Sequence, residues 1–312
     1  MFDFFIGILF FFSSFGFSEF TEIVSCDNDD SFSVVCGFQN PEDLYLSPSE
    51  NKIIISEFGS LAPNTNYGKI SYYDLVSESK RNPIFLFEEN TWGDPKCELK
   101  SRQLSPHGID LIQRNDGSYM LAVVNHLPKE SIELFELIED DFIELIWRGC
   151  IDAPENKYFN DLALKTDGSF YITHMYDFDS SQWAIAYASI FKNNTGGVYF
   201  WNSDDGFTPV PNTEGSFPNG IDLDVSEENL YINYWFSGKT IKFNLKKLST
   251  EFEHVGGGKD NLLVTDSGLW VAAHDYSGLE SLQCDYSIVQ CPLPFTIPVS
   301  YTHLTLPTSV LV

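Results

Sequence analysis

Five segments of this sequence repeat one plan: a polar pair, a short alternating apolar strand, an acidic or glycine-containing turn, and a second apolar strand. They begin at Glu42-Asp43-Leu44-Tyr45-Leu46, His107-Gly108-Ile109-Asp110-Leu111, Asn160-Asp161-Leu162-Ala163-Leu164, Asn219-Gly220-Ile221-Asp222-Leu223 and Asp260-Asn261-Leu262-Leu263-Val264. The turns follow at Glu50-Asn51, Asp116-Gly117, Asp167-Gly168, Glu228-Asn229 and Ser267-Gly268, a hairpin signal between alternating runs. Successive starts lie 65, 53, 59 and 41 residues apart. Blades of four strands recur at ~40–50 residues, so the repeat reads as an all-β propeller. A plain sandwich would leave the repeat unexplained. One further segment, residues 182–191, fits a short helix over one face.

Five repeats raise the question of a sixth. After Asp285 no charged residue follows, and the stretch carries Pro292, Pro294, Pro298 and Pro307 instead. Three prolines between 292 and 298 fit a central strand poorly, since each lacks a backbone donor. The last blade is therefore expected to be incomplete. The division is a leader over residues 1–18, a propeller over 19–298, and an atypical tail, truncated or foreign, over 299–312.

The leader reading rests on an apolar run over residues 4–12, too short to span a bilayer, followed by small residues up to Ser18. Export follows, as does weak lipid association through this run if it is retained. All six cysteines lie beyond it, and Cys284 with Cys291 is the one pair close enough to propose as a local disulfide. Asn193-Asn194-Thr195 is a glycosylation acceptor sequence, with Asn193 the acceptor. The formal charge of −27 repels phosphate backbones and argues against nucleic acid as a partner.

In a propeller, the first residues of equivalent inner strands converge on the axis. Here they are Glu42, His107, Asn160, Asn219 and Asp260 with Asn261. This is a set of hard oxygen donors plus one imidazole, which suits Ca²⁺ better than Zn²⁺ or Mg²⁺. Asn219-Gly220 alone would read as a turn; its recurrence at one repeat position is what points to a ligand set. Asp43 and Asp161 come next along their strands and could hold a second ion with a carbonyl such as that of Ile109, or serve as turn carboxylates. His126, His174 and His274 end second strands. His107 and His126 stand at adjoining ends of one hairpin, and two imidazoles beside a Lewis-acidic ion can activate water.

Pro41-Glu42-Asp43, Pro106-His107-Gly108-Ile109, Val124-Asn125-His126, Asn160-Asp161, Pro218-Asn219-Gly220-Ile221 and Asp260-Asn261 resemble the paraoxonase/arylesterase family, within the six-bladed senescence-marker-protein/gluconolactonase-like propellers. The resemblance implies a six-bladed β-propeller, a catalytic Ca²⁺ on Glu42, Asn160, Asn219, Asp260 and Asn261, and a structural Ca²⁺ on Asp43, Asp161 and the Ile109 carbonyl. It also implies a His107–His126 catalytic dyad and hydrolysis of lactones and aryl esters. The chain departs from the family at Ala273, where a cysteine is usual, and neither Cys26 nor Cys36 sits at the expected offset before Glu42.

The expectation is thus an exported, calcium-dependent lactone and ester hydrolase acting on a small molecule. Trp92, Trp183 and Trp235 are candidates for shaping its selectivity or for packing in the core. The alternatives are a gluconolactonase-type sugar-lactone hydrolase, which needs no histidine dyad, and a non-catalytic secreted propeller stabilised by calcium.

Overall fold

The computed structural model describes residues 33–58, 67–276, 293–300 and 308–311. Within them, every repeat start becomes an inner strand and every second apolar run becomes its hairpin partner. The first blade holds β1 (Pro41–Leu46), β2 (Lys52–Glu57), β3 (Lys69–Asp74) and β4 (Ser79–Arg81) in sequence order. The second holds β6 (Pro106–Gln113), β7 (Tyr119–Asn125), β8 (Ser131–Glu139) and β9 (Ile143–Asp152), with β5 (Ile84–Phe87) added parallel to β9 at its outer edge. The third is β10 (Lys157–Leu164), β11 (Phe170–Asp177), β12 (Gly197–Asn202) and β13 (Gly206–Pro209). The fourth is β14 (Pro218–Leu223), β15 (Asn229–Tyr234), β16 (Lys239–Asn244) and β17 (Ser249–Val255). The fifth is β18 (Gly258–Thr265), β19 (Gly268–His274), β20 (Phe295–Ser300) and β21 (Thr308–Leu311). Inner strands touch in order, β1 on β6, β6 on β10, β10 on β14 and β14 on β18. The described residues therefore make five blades of a β-propeller, one per sequence repeat and one fewer than the six expected.

Apolar residues from facing blades interlock between the sheets. Ile54 and Tyr72 of the first blade meet Leu121, Phe135 and Trp147 of the second. Val124 and Ile132 of the second meet Phe159, Phe170 and Trp201 of the third. Full burial of each such side chain contributes ~1.5–3 kcal/mol. The cluster joining the fourth and fifth blades is smaller, built on Tyr231, Leu262, Leu269 and Val271.

The prolines before residue 299 were expected to fit a central strand poorly, and one of them does join a strand. Phe295–Ser300 pairs antiparallel with β19 although it contains Pro298. Its register with β19 runs through Phe295, Thr296, Val299 and Ser300, so Pro298 falls between the paired stretches and its missing N–H costs no ladder bond there. Thr308–Leu311 then pairs with β20, giving this sheet four strands.

Cys97 and Cys150 form a disulfide, with Cα atoms 5.6 Å apart, that ties the loop after β5 to β9. At a separation of 53 residues, no local pattern pointed to this pair. Cys36 is also disulfide-bonded. Cys284 and Cys291, the pair proposed from sequence, lie outside the described residues, as does the leader over residues 1–18. The expected helix is present as α1 (Gln182–Phe191), capped by Ser181, whose Oγ accepts the Ala184 N–H at 3.2 Å. Among the described residues no helix is long and apolar enough to cross a membrane.

Each inner hairpin loses register at the polar pair that opens its repeat. The breaks fall between Pro41 and Asp43, Pro106 and Ile109, Phe159 and Leu162, Pro218 and Ile221, and Lys259 and Leu262. Bulges of this kind re-aim side chains and unpair the local backbone. Strict alternation, which would send Asp43 and Asp161 away from their neighbours, is interrupted there.

The freed and neighbouring backbone groups are taken up by aspartates that stitch one blade to the next. Asp43 accepts the Leu44 N–H at 2.8 Å and the Ile109 N–H of the second blade at 2.8 Å. Asp110 accepts Leu111 at 2.7 Å and Leu164 of the third blade at 2.6 Å. Asp161 accepts Leu162 at 2.8 Å and Ile221 of the fourth blade at 2.9 Å. Asp222 accepts Leu223 at 2.7 Å and Val264 of the fifth blade at 2.7 Å. Glycine is needed beside these stitches. A Cβ on Gly108 would overlap the Asp161 carboxylate, and one on Gly220 would stand 2.7 Å from the Asn261 Cα.

Candidate functional site

The bulged starts of the inner strands gather several of the residues singled out in the sequence. Glu42 Oε1 and Asn160 Nδ2 each lie 3.1 Å from His107 Nε2. Asn261 Nδ2 donates to the Glu42 carbonyl at 2.7 Å, joining the fifth blade to the first. Asn219 enters from the fourth blade beside Gly220, whose Cα packs against the Asp260–Asn261 backbone. Asp260 Oδ2 is 3.1 Å from His274 Nε2.

What these residues leave unsatisfied is specific. Glu42 Oε2, Asn160 Oδ1, Asn219 Oδ1 and Asn261 Oδ1 are buried oxygens without a hydrogen-bond partner among the described residues. A buried unpaired polar atom costs ~1–3 kcal/mol, so four at equivalent inner-strand starts are hard to explain as packing. Two of the amides are held with their oxygens free by bonds on the nitrogen side. Asn160 Nδ2 faces Met175 Sδ at 3.2 Å as well as His107, and Asn261 Nδ2 is engaged by the Glu42 carbonyl. Among the described residues no group of three or more His, Cys, Asp or Glu side chains gathers to hold a metal. The set is instead rich in amide oxygens, the donor type that Ca²⁺ accepts alongside one or two carboxylates.

Deeper along the axis, Asp43 and Asp161 sit close enough to repel. Burial, then the neighbouring carboxylates, push both well above the ordinary range. Burial likewise raises Asp110 to about 6 and, together with Asp110, raises Asp222 to about 8.

The two imidazoles expected to pair do meet. His107 Nδ1 and His126 Nε2 are 2.7 Å apart. Both rings are buried, and Phe58 sits edge-on to each at 4.9 and 5.4 Å. Burial, then the nearby His107, lower the His126 pKa well below its usual value, so the ring is neutral. Behind it Glu130 Oε1 lies 2.5 Å from His126 Nδ1. Sequence reading did not single out Glu130, although its place four residues after His126 in a loop was a usable signal.

Of the other second-strand histidines, His274 belongs to this region and His174 does not. Burial opposes protonation of His274, but its bond to Asp260 and the field of that carboxylate outweigh it and raise the pKa. Trp235 Nε1 donates to His274 Nδ1 at 3.0 Å. His174 turns to Asp177 at 3.1 Å and packs edge-on to Phe159 and Tyr199.

Between His126 and His274 runs an arc of aromatic rings. Tyr158 stacks on His126 at 4.3 Å, Tyr176 on Tyr158 at 5.0 Å, and Phe217 on Tyr176 at 5.6 Å. Phe217 then meets Phe236 at 4.3 Å and Trp235 at 5.8 Å. Phe217 has φ of 60°, a left-handed backbone that a bulky residue adopts only where its surroundings hold it. Of the three tryptophans considered, only Trp235 joins this arc. Trp92 packs on the core between the second and third blades under Arg114, and Trp183 is 86% exposed on α1. Asn193 is exposed just beyond α1, while Thr195 Oγ1 of the same acceptor sequence donates to the Met175 carbonyl at 2.6 Å.

A family model described as Arylesterase matches residues 40–279, the stretch that carries all five repeat starts and both imidazoles. No curated protein matches the chain in sequence. Among solved structures the chain is similar to a luciferin-regenerating enzyme at 11% identity and a TM-score of 0.50, over 88% of this chain and 77% of that one. It is also similar to a periplasmic gluconolactonase of Pseudomonas aeruginosa, at 12% identity and a TM-score of 0.47 over 91% of each chain. At such identities the first likeness speaks for the fold alone.

Proposed function

The chain belongs to the arylesterase family, and on that premise we propose that it is a calcium-dependent hydrolase of lactones and carboxylic aryl esters. The observation that carries this reading is the set of four unsatisfied buried oxygens at the inner-strand starts, two of them on Glu42 and Asn160, which contact His107 Nε2. Glu42, Asn160, Asn219, Asp260 and Asn261 would hold the ion, whose donors are those expected for Ca²⁺. When bound, it supplies positive charge that polarises a substrate carbonyl and stabilises the developing oxyanion. Asp43, Asp161 and the Ile109 carbonyl would hold a second, structural Ca²⁺. Their mutual repulsion in a buried place is what a cation would relieve.

The protein's own residues supply the rest. His107 Nε2 takes a proton from the attacking water, and the water oxygen forms the new bond to the carbonyl carbon. His126 holds the other face of His107 and spreads the acquired charge. The C–O bond to the alcohol then breaks, and the proton returns to the leaving alkoxide. The aromatic arc from Tyr158 to Trp235 gives an apolar wall for an acyl or aryl group. A sugar lactone, covered in hydroxyls, would find few partners on that wall, which is why acyl lactones and aryl esters are favoured over the gluconolactonase-type reading.

The Cys97–Cys150 disulfide fits an oxidising compartment, in keeping with export behind a cleaved leader, and exposed Asn193 would then be open to glycosylation. The test is hydrolysis of phenyl acetate, δ-valerolactone and gluconolactone, each with and without a calcium chelator. Turnover of the first two that chelator abolishes and calcium restores is expected. Chelator-insensitive turnover would remove calcium from the mechanism. No turnover, together with calcium-dependent melting, would favour the non-catalytic propeller.

A further inference from the structure

Three groups lie in a line from the protein interior to the candidate site. Glu130 Oε1 is 2.5 Å from His126 Nδ1, and His126 Nε2 is 2.7 Å from His107 Nδ1. At the far end His107 Nε2 has Asn160 Nδ2 on one side and Glu42 Oε1 on the other, both at 3.1 Å. A neutral imidazole has one N–H and one lone pair, so the line from Glu130 to His107 can run in only two polarities, each satisfying one of the two neighbours of His107 Nε2.

In the first, Glu130 is a carboxylate and can only accept. His126 then carries its proton on Nδ1 and presents the Nε2 lone pair to His107. That lone pair must receive an N–H, so His107 carries its proton on Nδ1. His107 Nε2 is left with a lone pair that accepts from the Asn160 amide and can take a proton from water in its place, while Glu42 Oε1 faces it with no hydrogen between them and is left to a cation. In the second polarity Glu130 is protonated and donates, and every hydrogen in the line reverses. His107 Nε2 then carries a hydrogen, bonds to Glu42 and is no base, while the Asn160 amide hydrogen is left facing another hydrogen. One carboxyl therefore decides whether the site has a base at all.

We propose that Glu130 is a positioning residue that sets the tautomers of His126 and His107 and so keeps the catalytic lone pair on His107 Nε2; this rests on the reading of His107 as the base. The surroundings are built to hold that geometry. Asn125 Nδ2 donates to the Leu127 carbonyl at 2.9 Å and to Ser131 Oγ at 3.1 Å, clamping both ends of the loop that carries Glu130. Asn125 Oδ1 in turn accepts the Ser105 N–H at 2.8 Å, and the Glu130 carbonyl accepts the Ala153 N–H at 3.1 Å. Tyr158 lies within 7° of parallel to the His126 ring and fixes its plane.

The line is also sensitive to pH. Burial raises the Glu130 pKa well above the usual range, opposed by the Phe159 N–H. The titratable groups around the carboxyl are His126, Tyr158 and Tyr176, while neighbouring Lys129 is occupied by Asp152 at 2.6 Å. Loss of activity on acidification is accordingly expected at a higher pH than an ordinary carboxylate would give.

The experiment compares Glu130→Gln and Glu130→Asp with the unaltered, calcium-loaded protein. It measures phenyl acetate turnover against pH, thermal melting with and without calcium, and ¹⁵N imidazole shifts of His107 and His126. A glutamine can donate or accept and so no longer enforces one polarity. Its variant should lose roughly 10²-fold or more in kcat with KM and calcium-dependent melting little changed, and its acid limb should move. The aspartate keeps an acceptor-only group and should recover part of the rate. Nδ1–H on both rings in the unaltered protein, lost in the glutamine variant, supports the inference. A hydrogen on His107 Nε2 in the unaltered protein, or an unchanged pH profile in a folded glutamine variant, overturns it. Full activity of His107→Gln with the expected tautomers would sink the base reading while leaving the tautomer assignment supported.

Discussion

Where the inner strands begin, Glu42, Asn160, Asn219 and Asn261 each keep a buried oxygen without a hydrogen bond among the described residues. Further along the same strands, Asp43, Asp110, Asp161 and Asp222 give both carboxylate oxygens to backbone N–H groups of two successive blades. Both layers incur the cost of burying polar atoms, but only the second meets it with backbone donors of the protein, and even there the repulsion between Asp43 and Asp161 persists. The difference separates two tasks. The aspartates link successive sheets, whereas the unsatisfied oxygens are the ones the proposed catalytic ion would satisfy.

The largest effect should come from breaking the entrance layer at its nitrogen. His107→Gln should depress turnover by ~10²–10⁴-fold, the usual loss for a general base, while calcium still raises the melting temperature. Kinetics and melting of one preparation decide it. Loss of calcium response equal to that of an Asn219 variant would make His107 a structural member of the oxygen layer.

Next comes pH acting on the deeper layer. Asp222 is raised to about 8 by burial and by Asp110, whereas an unfolded aspartate titrates near ~3.9. Its contribution to stability is thus whole below the unfolded value and is lost as pH rises through the folded one, by up to ~1.4 kcal/mol per pH unit. In excess chelator the unfolding free energy should fall between pH 5 and pH 8 by on the order of a few kcal/mol, read as a falling denaturant midpoint. Asp222→Asn should flatten that slope. Equal slopes in both proteins would assign the effect to other carboxyls.

Gly108→Ala tests the fit between neighbouring stitches. The new methyl would overlap the Asp161 carboxylate, and overpacking of this kind costs ~1–3 kcal/mol. Denaturant melts should report it even without calcium, and an unchanged midpoint would mean the Asp161 stitch yields freely.

The smallest effect is the sharpest for the comparison. Asn219→Ala removes an oxygen that already lacks a partner, so in chelator stability should shift by no more than ~0.5–1 kcal/mol. With calcium present the same variant should gain less from the ion than the unaltered protein does. A large loss in chelator would show that the oxygen was satisfied after all.

The five hairpins and the convergence of their first residues were legible because a two-residue period and turn chemistry are local signals. The bulges were not, since a register break depends on the partner strand rather than on the residues that break. Cys97 and Cys150 escaped notice for a similar reason, being joined only through the path of an entire blade. Pro298 misled because proline excludes a donor, not a strand, and its place in the ladder cannot be read without the register. Glu130 was hidden among charged loop residues, and only the position of the His126 ring gives it meaning.

The aspartate stitches carry an arithmetic of their own. In the first and third repeats the aspartate is the second residue, at Asp43 and Asp161; in the second and fourth it is the fourth residue, at Asp110 and Asp222, with Gly108 and Gly220 filling the second place. Asn261 keeps the second place polar in the fifth repeat. The two kinds of blade are therefore not interchangeable, because each glycine makes room for the polar residue of the blade that follows it. Among the described blades the alternation runs unbroken from the first to the fourth. Duplicating or deleting a single blade would set two of the same kind side by side, whereas changing the chain by a consecutive pair would preserve every junction. For such a protein the unit of growth is the pair.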